Sequence, residues 1–203
     1  KNGYEYSLIS DTDLHEDPNI LRNFNTVILN THAEYWSEKM SDGLNSSLDH
    51  GGNLAYLSAN GIYGKVVKKG NYVEVRKLFG PSALTFESGG LWRNLGRPES
   101  AVLGVKYTPE GAGTFAPYKV LIPEHWVFKG TGLKKGDLFG KDGFNKSRAG
   151  ASGHEQDKTD WHTPSGCVTL AKGTNRDNTG AEMVYYTHKG GGGIFSVGSI
   201  TFG

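Results

Sequence analysis

Side chains able to transfer protons or bind a metal ion lie in two short segments of the chain. The first contains His32 and Glu34, followed directly by Tyr35 and Trp36. Aromatic neighbours exclude water, and a carboxylate in such surroundings must be paired, hydrogen-bonded, protonated or bound to a metal. The pattern fits a site for metal binding or proton transfer. It fits equally well a cap of the next helix, or an ion pair with an arginine.

The second segment is Gly-His-Glu-Gln-Asp at residues 153–157, with His162 a few positions later. Two carboxylates and two imidazoles within such a short stretch can bind a metal or provide a general base. Surface loops are also mostly polar, so the alternative is a solvated loop without chemistry. Spacing does not separate the two interpretations.

Cysteine chemistry is excluded by the cysteine count. Cys167 is the only cysteine, so an internal disulfide and a two-cysteine zinc or redox site are impossible. His-x-Glu at 32–34 matches half of the zinc deaminase motif, but the Pro-Cys-x-x-Cys half is missing. Cys167 lies at the entrance to a predicted late strand, so we expect it to pack as a small hydrophobic residue. The sequence also lacks a Gly-x-Ser-x-Gly elbow and a phosphate-binding glycine loop.

Charge and hydropathy exclude two further classes of protein. The 203 residues include 22 Lys+Arg and 21 Asp+Glu, a net charge of +1, which gives no electrostatic footprint for nucleic acid or an anionic membrane. Apolar runs such as 26–29 are far shorter than the ~20 residues of a membrane span. We therefore expect a soluble, cytoplasmic protein with neither a nucleic acid nor a membrane partner. Because the chain begins with Lys1 rather than Met, we interpret it as part of a longer polypeptide.

The elements that must position these side chains are clearest before residue 70. Residues 26–29 form a continuous apolar run, typical of a strand covered on both faces, and 54–57 predict another buried strand. Between them Ser37 is a good N-cap for a helix. The apolar stripe of that helix is Met40, Leu44 and Leu48. This order implies right-handed parallel crossovers, hence an α/β fold with a parallel sheet and helices on both faces.

Beyond residue 70 the pattern changes to short β segments separated by glycine and proline. Strands are predicted near 101–105, 118–122, 168–171, 183–186 and 194–197. Residues 129–158 are polar and glycine-rich without periodicity, and a loop of this length is usually functional. We predict one domain over 1–203, with a βαβ core in 1–70 and a remainder rich in β segments and long loops in 71–203.

The predicted strand order brings the first segment together with an amide side chain. Ligands of open α/β sheets bind beyond the carboxyl ends of the parallel strands. His32 and Glu34 follow the strand at 26–29, and Asn60 follows the strand at 54–57. We expect the three side chains to meet at one edge of the sheet.

Two aromatic segments, 89–93 and 125–128, have two interpretations. Their tryptophans, Trp92 and Trp126, predict core packing if buried and a carbohydrate-binding surface if exposed. The sequence alone leaves their exposure open.

Several blocks together resemble the C-terminal region of the large (beta) subunit of the N,N-dimethylformamidase family. They occur in order across nearly the whole chain. The blocks are Asn-Thr-His-Ala-Glu-Tyr-Trp-Ser at 30–37, Gly-Gly-Asn-Leu-Ala-Tyr-Leu-Ser-Ala-Asn-Gly-Ile-Tyr at 51–63, Gly-Gly-Leu-Trp-Arg at 89–93, Gly-Thr-Gly-Leu at 130–133, Gly-His-Glu-Gln-Asp at 153–157 and Gly-Gly-Ile-Phe-Ser-Val-Gly-Ser-Ile at 192–200.

This resemblance implies a fold like that of the class I glutamine amidotransferases and an iron-dependent hydrolysis of N-substituted formamides to formate and an amine. It implies Glu34 as the carboxylate ligand of a ferric ion and His32 beside it. Asn60 would lie in the pocket, and Glu155 would transfer protons. Such large subunits associate with a small helical subunit and with each other, and the substrate would be a small amide.

The sequence departs from the family pattern at the metal. Iron in this family is held by two tyrosines and one glutamate, and the tyrosines lie farther upstream than the residues available before His32. The resemblance therefore places iron in the full-length parent and leaves this chain with one ligand. Two alternatives remain: a non-catalytic module that binds a small ligand or carbohydrate, and a hydrolase that uses Glu155 and His32 without iron.

Overall fold

A computed structural model describes residues 3–142 and 149–202. The α-helices in these residues are α1 (Asp11–Glu16), α2 (Glu38–Asp49) and α3 (Ser100–Leu103). Short 3-10 helices occupy Ile20–Asn23, Trp92–Leu95, Pro109–Gly111, Trp126–Phe128, Arg176–Asn178 and Ile200–Phe202. The strands are β1 (Thr26–Thr31), β2 (Tyr35–Trp36), β3 (Asn53–Ser58), β4 (Gly64–Lys69), β5 (Tyr72–Val75), β6 (Gly80–Pro81), β7 (Ser88–Gly89), β8 (Lys106–Thr108), β9 (Phe115–Ala116), β10 (Tyr118–Val120), β11 (Leu138–Phe139), β12 (Ser152–Gly153), β13 (Gln156–Lys158), β14 (Val168–Gly173), β15 (Glu182–Thr187) and β16 (Gly193–Ser196).

The largest sheet has seven strands in the order β1-β3-β16-β15-β14-β10-β11. Strands β1, β3 and β16 are parallel, and β1 is in register with β3 from Thr26 opposite Asn53 to Thr31 opposite Ser58. The remaining pairs, from β16 to β11, are antiparallel. The smaller sheets pair β2-β4-β5, β6-β7, β8-β13 and β9-β12.

The predicted strand–helix–strand unit is present at one edge of this sheet. The Ser37 hydroxyl accepts a hydrogen bond from Met40 N and begins α2. The predicted stripe on α2 is buried and packs against Leu54 and Tyr56 of β3. The expectation that β1 is covered on both faces is wrong, because β1 is an edge strand and Ile28 is 62% exposed.

The predicted α/β fold, a parallel sheet with flanking helices like that of the amidotransferases, is wrong. After β3 the chain continues into the antiparallel β4–β5 pair, and β14, β15 and β16 form a meander. Antiparallel pairs need only short turns, whereas each parallel pair needs a long crossover. Among the described residues α2 is the only α-helix longer than six residues. The molecule is therefore mostly β-structure in several sheets.

Two further predictions of secondary structure need correction. Residues 101–105 were expected to be a strand, but Ser100–Leu103 is the helical turn α3, which ends at Gly104 with φ of 75°. The predicted loop 129–158 includes 143–148, which lie outside the described residues. The rest of it contains β11, β12 and β13.

The core lies on both faces of the large sheet. Alternate residues of β15 contribute to different clusters, Val184 and Tyr186 to the one under α2 and Met183 to the other. Side chains alternate between the faces of a strand, so the clusters occupy opposite faces. The second face is covered by residues from 3-10 helices and loops, among them Phe128 and Ala151.

Candidate active site

The ends of β1 and β3 position the first group of predicted site residues. Thr31 and Ser58 are paired at the carboxyl ends of the two strands, and the Ser58 hydroxyl donates to the Thr31 carbonyl. The following segments run together, because Ile62 N donates to Ala33 O at 2.9 Å and Tyr63 N donates to Glu34 O at 2.9 Å. The edge of the sheet thus carries both segments, as the strand order predicts.

His32 lies between the two predicted glutamates. Its Nε2 atom is 2.9 Å from Glu155 Oε2 and 3.5 Å from Glu34 Oε2. The Glu34 side chain is 11% exposed and that of Glu155 is 22% exposed. The Oε2 atom of Glu155 is buried, and within the described residues it has no aligned hydrogen-bond donor despite the short distance to the imidazole. The fold therefore brings both carboxylates to one imidazole.

Glu34 is also held by a cation on its other oxygen. Lys77 Nζ lies 3.0 Å from Glu34 Oε1, and the ammonium stands 5.1 Å from the centre of the Tyr35 ring. Contacts with Tyr35 and with the Glu34 carboxylate raise the pKa of Lys77 above its ordinary value. The ion pair predicted as an alternative at Glu34 is therefore present, with a lysine in place of the expected arginine. The helix cap is Ser37 and not His32 or Glu34.

Asn60 occupies a tight turn directly after β3. It is 4% exposed and has φ of 53°, a left-handed conformation that asparagine tolerates better than most residues. Its main-chain N donates to Asp157 Oδ1 at 2.8 Å. The Oδ1 atom of its side chain is buried, and no described residue donates a hydrogen bond to it. This acceptor therefore has no partner among the described residues and is closed to bulk solvent.

Asp157 is the fully buried centre of the arrangement. Tyr56 Oη donates to Asp157 Oδ2 at 2.9 Å and accepts from Gly61 N at 2.6 Å. Burial raises the pKa of Asp157 to about 7, although the hydrogen bonds from Asn60 and Tyr56 lower it; the charges of Glu99 and Glu155 also raise it. The sequence placed Asp157 in a polar segment but gave it no role.

Tyr56 is the functional-site residue that sequence reasoning missed. It is fully buried in β3, and its ring leaves no room for a side chain at residue 61, where a Cβ would lie 2.6 Å from Tyr56 Cε2. The available signal was a tyrosine two residues before the end of the strand, with an Asn-Gly pair at 60–61 in the turn that follows.

The segment that carries Glu155 is not a solvated loop. Only His154 and Glu155 lie between β12 and β13, and Ser152, Gln156 and Asp157 are fully buried. His154 has φ of 66°. The structure does not bring His162 into the cluster, since its contacts are with Asp160 at 3.4 Å and with the Trp161 ring at 4.3 Å between centroids.

A buried ion pair and two tyrosines lie beside Glu155 and Asp157. Tyr107 is opposite Asp157 in the β8–β13 pair, and its ring meets that of Tyr63 edge-on at 5.7 Å. Burial raises the pKa of Tyr107, and the charge of Glu155 adds to this effect. Arg93 stacks on Tyr63 at 5.2 Å and binds the buried carboxylate of Glu99.

The tryptophans of the two aromatic segments differ in exposure. Trp92 is 2% exposed and packs in the core, so it is not a binding platform. Trp126 is 61% exposed and contacts Tyr185 edge-on at 5.5 Å.

The described residues do not fit a complete iron site. Residues 3–142 and 149–202 contain no group of three or more His, Cys, Asp and Glu side chains arranged to hold a metal ion. Glu34 is a suitable hard oxygen ligand, but one of its oxygens is paired with Lys77.

Comparison with known proteins identifies the family. The family model described as "N,N-dimethylformamidase beta subunit-like, C-terminal" matches residues 1–203. The chain belongs to this family. The chain is also similar to the N,N-dimethylformamidase beta subunits of Paracoccus aminophilus and of an Alcaligenes species, each 26% identical over 247 aligned positions that cover 99% of the chain. The match covers 32% of each relative, so the chain spans about a third of the length of these curated proteins.

The segments that match the family hold the candidate site. The resemblance read from the sequence is confirmed by the match over the whole chain.

No helix in the described part of the chain is long and apolar enough to cross a bilayer.

Proposed function

We propose that the chain forms part of an amide hydrolase that converts N-substituted formamides and water into formate and an amine. Membership of the dimethylformamidase beta-subunit family supports this substrate class. The observation that carries the proposal is the position of His32 Nε2 between the carboxylates of Glu34 and Glu155. Amide hydrolysis needs a group that removes a proton from water and returns it to the leaving nitrogen, and carboxylate and imidazole side chains are suited to both steps.

Glu155 is the proton-transfer group in this proposal. Its carboxylate, 22% exposed, accepts a proton from the attacking water as the water oxygen bonds to the formyl carbon. The same proton passes to the amide nitrogen when the C–N bond breaks, so the amine leaves neutral and formic acid remains, which then gives up its own proton to the released amine to form formate and the ammonium ion. His32, whose Nε2 lies 2.9 Å from Glu155 Oε2, orients the carboxylate.

Asn60 is the substrate-orienting group. Its side-chain amide lies at the carboxyl edge of the sheet and has a buried acceptor without a partner among the described residues. A fixed polar group of this kind orients a bound water or amide at little entropic cost.

Iron remains a proposal for the full-length parent. The chain contributes one hard ligand, Glu34, and the two tyrosine ligands implied by the resemblance lie outside it. None of the proton-transfer steps above depends on the metal.

The experiment measures formate release from dimethylformamide, together with iron content, in the full-length parent and its variants. We expect Glu155→Gln to lower kcat by at least about 100-fold, the typical effect of losing a general base. Glu34→Ala should abolish formate release and lower iron content. The matched control is Glu38→Ala, which removes a glutamate paired with Lys65 at 2.9 Å but leaves the candidate site intact.

Two outcomes contradict the proposal. One is a full-length parent that releases no formate, and the other is a Glu155→Gln variant as active as Glu38→Ala.

A second candidate function, carbohydrate binding, is favoured by the exposed indole of Trp126. The Trp126 ring and its neighbours His125 and Tyr185 form an aromatic surface. Sugar binding that survives Glu34→Ala and Glu155→Ala but is lost in Trp126→Ala would support this function.

We also infer a partner subunit, because the relatives are named as beta subunits. Copurification of a small helical polypeptide with the full-length parent, and its mass in solution, test the small-subunit and homo-oligomer predictions.

A further inference from the structure

Asp157 is a fully buried titratable group that the proposed mechanism does not use. It lies two residues after Glu155 and binds the main chain of Asn60. It is therefore hydrogen-bonded to the residue assigned to substrate orientation and lies two positions from the residue assigned to proton transfer.

The turn that carries Asn60 is strained and needs support. Asn60 has φ of 53° and Ile62 has φ of 50°, which is uncommon for asparagine and unfavourable for a β-branched residue. Such conformations are energetically unfavourable and persist only where surrounding contacts enforce them.

Two successive N–H groups of this turn supply those contacts. Asn60 N donates to the Asp157 carboxylate at 2.8 Å, and Gly61 N donates to the Tyr56 hydroxyl at 2.6 Å. Tyr56 in turn donates to Asp157 at 2.9 Å. The Asp157–Tyr56 pair thus binds the turn at two adjacent points.

The main chain around Asp157 is fixed independently of that turn. Asp157 N donates to Gly198 O at 2.8 Å, and β13 pairs with β8 in a register that sets Asp157 opposite Tyr107. Glu155 immediately precedes β13, so its position depends on the same anchor. The side chain of Asp157 therefore connects a fixed strand to a strained turn.

We propose that Asp157, together with Tyr56, is a positioning residue that holds the Asn60 side chain in place relative to the Glu155 carboxylate. For its effect on catalysis the inference rests on the proposed function, since Asn60 and Glu155 act on substrate only if that function is correct. Asp157 itself touches neither water nor substrate in this role.

The test uses Asp157→Ala, Asp157→Asn and Tyr56→Phe in the full-length parent. Activity is formate release from dimethylformamide per folded molecule, and local structure is followed by hydrogen exchange of the peptide that contains Asn60 and Gly61. We expect Asp157→Ala to lose up to about 100-fold in kcat/KM, as small misplacements of site groups do. Asp157→Asn keeps one acceptor for Asn60 N–H and should recover part of the activity.

The matched control is Tyr118→Phe. Tyr118 is also fully buried, and its hydroxyl donates to Val197 O at 2.7 Å without contacting the turn. It should lose stability comparably to Tyr56→Phe but leave both the activity per folded molecule and the exchange at Asn60 and Gly61 unchanged.

A double variant distinguishes positioning from a separate catalytic effect. If Asp157 acts through Asn60, adding Asp157→Asn to Asn60→Ala changes activity by less than about 2-fold, because residues that act as a unit are not additive. The inference is wrong if the activity losses of Asp157→Asn and Asn60→Ala multiply in the double variant. It is also wrong if Tyr118→Phe loses as much activity per folded molecule as Tyr56→Phe.

The proposed function can fail separately. If the wild-type parent releases no formate, that function is wrong, and the exchange comparison still decides the role of Asp157. Exchange at Asn60 and Gly61 that is equally slow in the wild type, Asp157→Ala and Tyr56→Phe contradicts the positioning role.

Discussion

The carboxylate of Asp157 accepts a hydrogen bond from the main-chain N–H of Asn60 over 2.8 Å, although the two residues come from distant parts of the chain. This bond joins the turn after β3 to β13 in the interior of the protein. It makes the protonation state of one buried group relevant to the stability of the fold.

The first prediction concerns pH-dependent stability. Burial raises the pKa of Asp157 from its ordinary 3.8 to about 7, so between these values the folded protein holds a proton that the unfolded chain releases. This contribution to stability is complete below about pH 4 and is lost as the pH rises to about 7. Relative to Asp157→Asn, the wild-type free energy of unfolding should fall by a few kcal/mol across this range. Urea unfolding at a series of pH values measures it, and identical pH profiles for both proteins would contradict it.

The second prediction concerns Gly61. A Cβ at this position would lie 2.6 Å from Tyr56 Cε2 and 2.7 Å from its hydroxyl, so Gly61→Ala should displace the buried ring and cost at least about 2 kcal/mol. Tyr56→Phe removes one of the clashing atoms, so the two substitutions should be less than additive in urea unfolding. The comparison is Gly96→Ala, where no atom lies within 4 Å of the added Cβ but φ is 79°, so it costs backbone strain without a clash and should be additive with Tyr56→Phe. Additivity of Gly61→Ala with Tyr56→Phe would show that no clash exists.

The third prediction concerns the ion pair between Arg93 and Glu99. The Glu99 side chain is 1% exposed, so Arg93→Met leaves a buried carboxyl without its cation and should cost about 3–5 kcal/mol. Lys189→Met breaks an exposed pair with Asp49 and should cost less than about 1 kcal/mol. Chemical denaturation of both variants compares them, and equal losses would argue against a structural role for the buried pair.

The fourth prediction concerns the reactivity of Cys167. Burial raises the pKa of its thiol to about 11, and the charge of Glu182 adds to the shift. The thiolate is the reactive form, so labelling by a disulfide reagent at about pH 8 should be on the order of 100-fold slower in the folded protein than in urea. Cys167→Ser provides the blank. Labelling of the folded protein at the unfolded rate would reopen the possibility of cysteine chemistry.

Local sequence patterns predicted the part of the molecule that carries the first site segments. The N-cap at Ser37 and the stripe on α2 depend on neighbouring residues and form as predicted, and both apolar runs form strands. Because parallel strands end at a common edge, the same patterns predicted that the segments of Glu34 and Asn60 lie side by side. Exposure of β1 was not predictable, since an apolar run does not report whether a strand is central or at an edge.

The sequence by itself determined the family, the strand–helix–strand unit and the identities of the side chains able to do chemistry. The tertiary structure alone decided that the sheet is mixed, that Glu155 meets His32, that Lys77 pairs with Glu34, and that Tyr56 and Asp157 support Asn60. The physical reason is distance along the chain. Helix stripes and caps come from contacts within a few residues, whereas strand order and buried hydrogen bonds depend on which distant segments pack together, and no local periodicity encodes that choice.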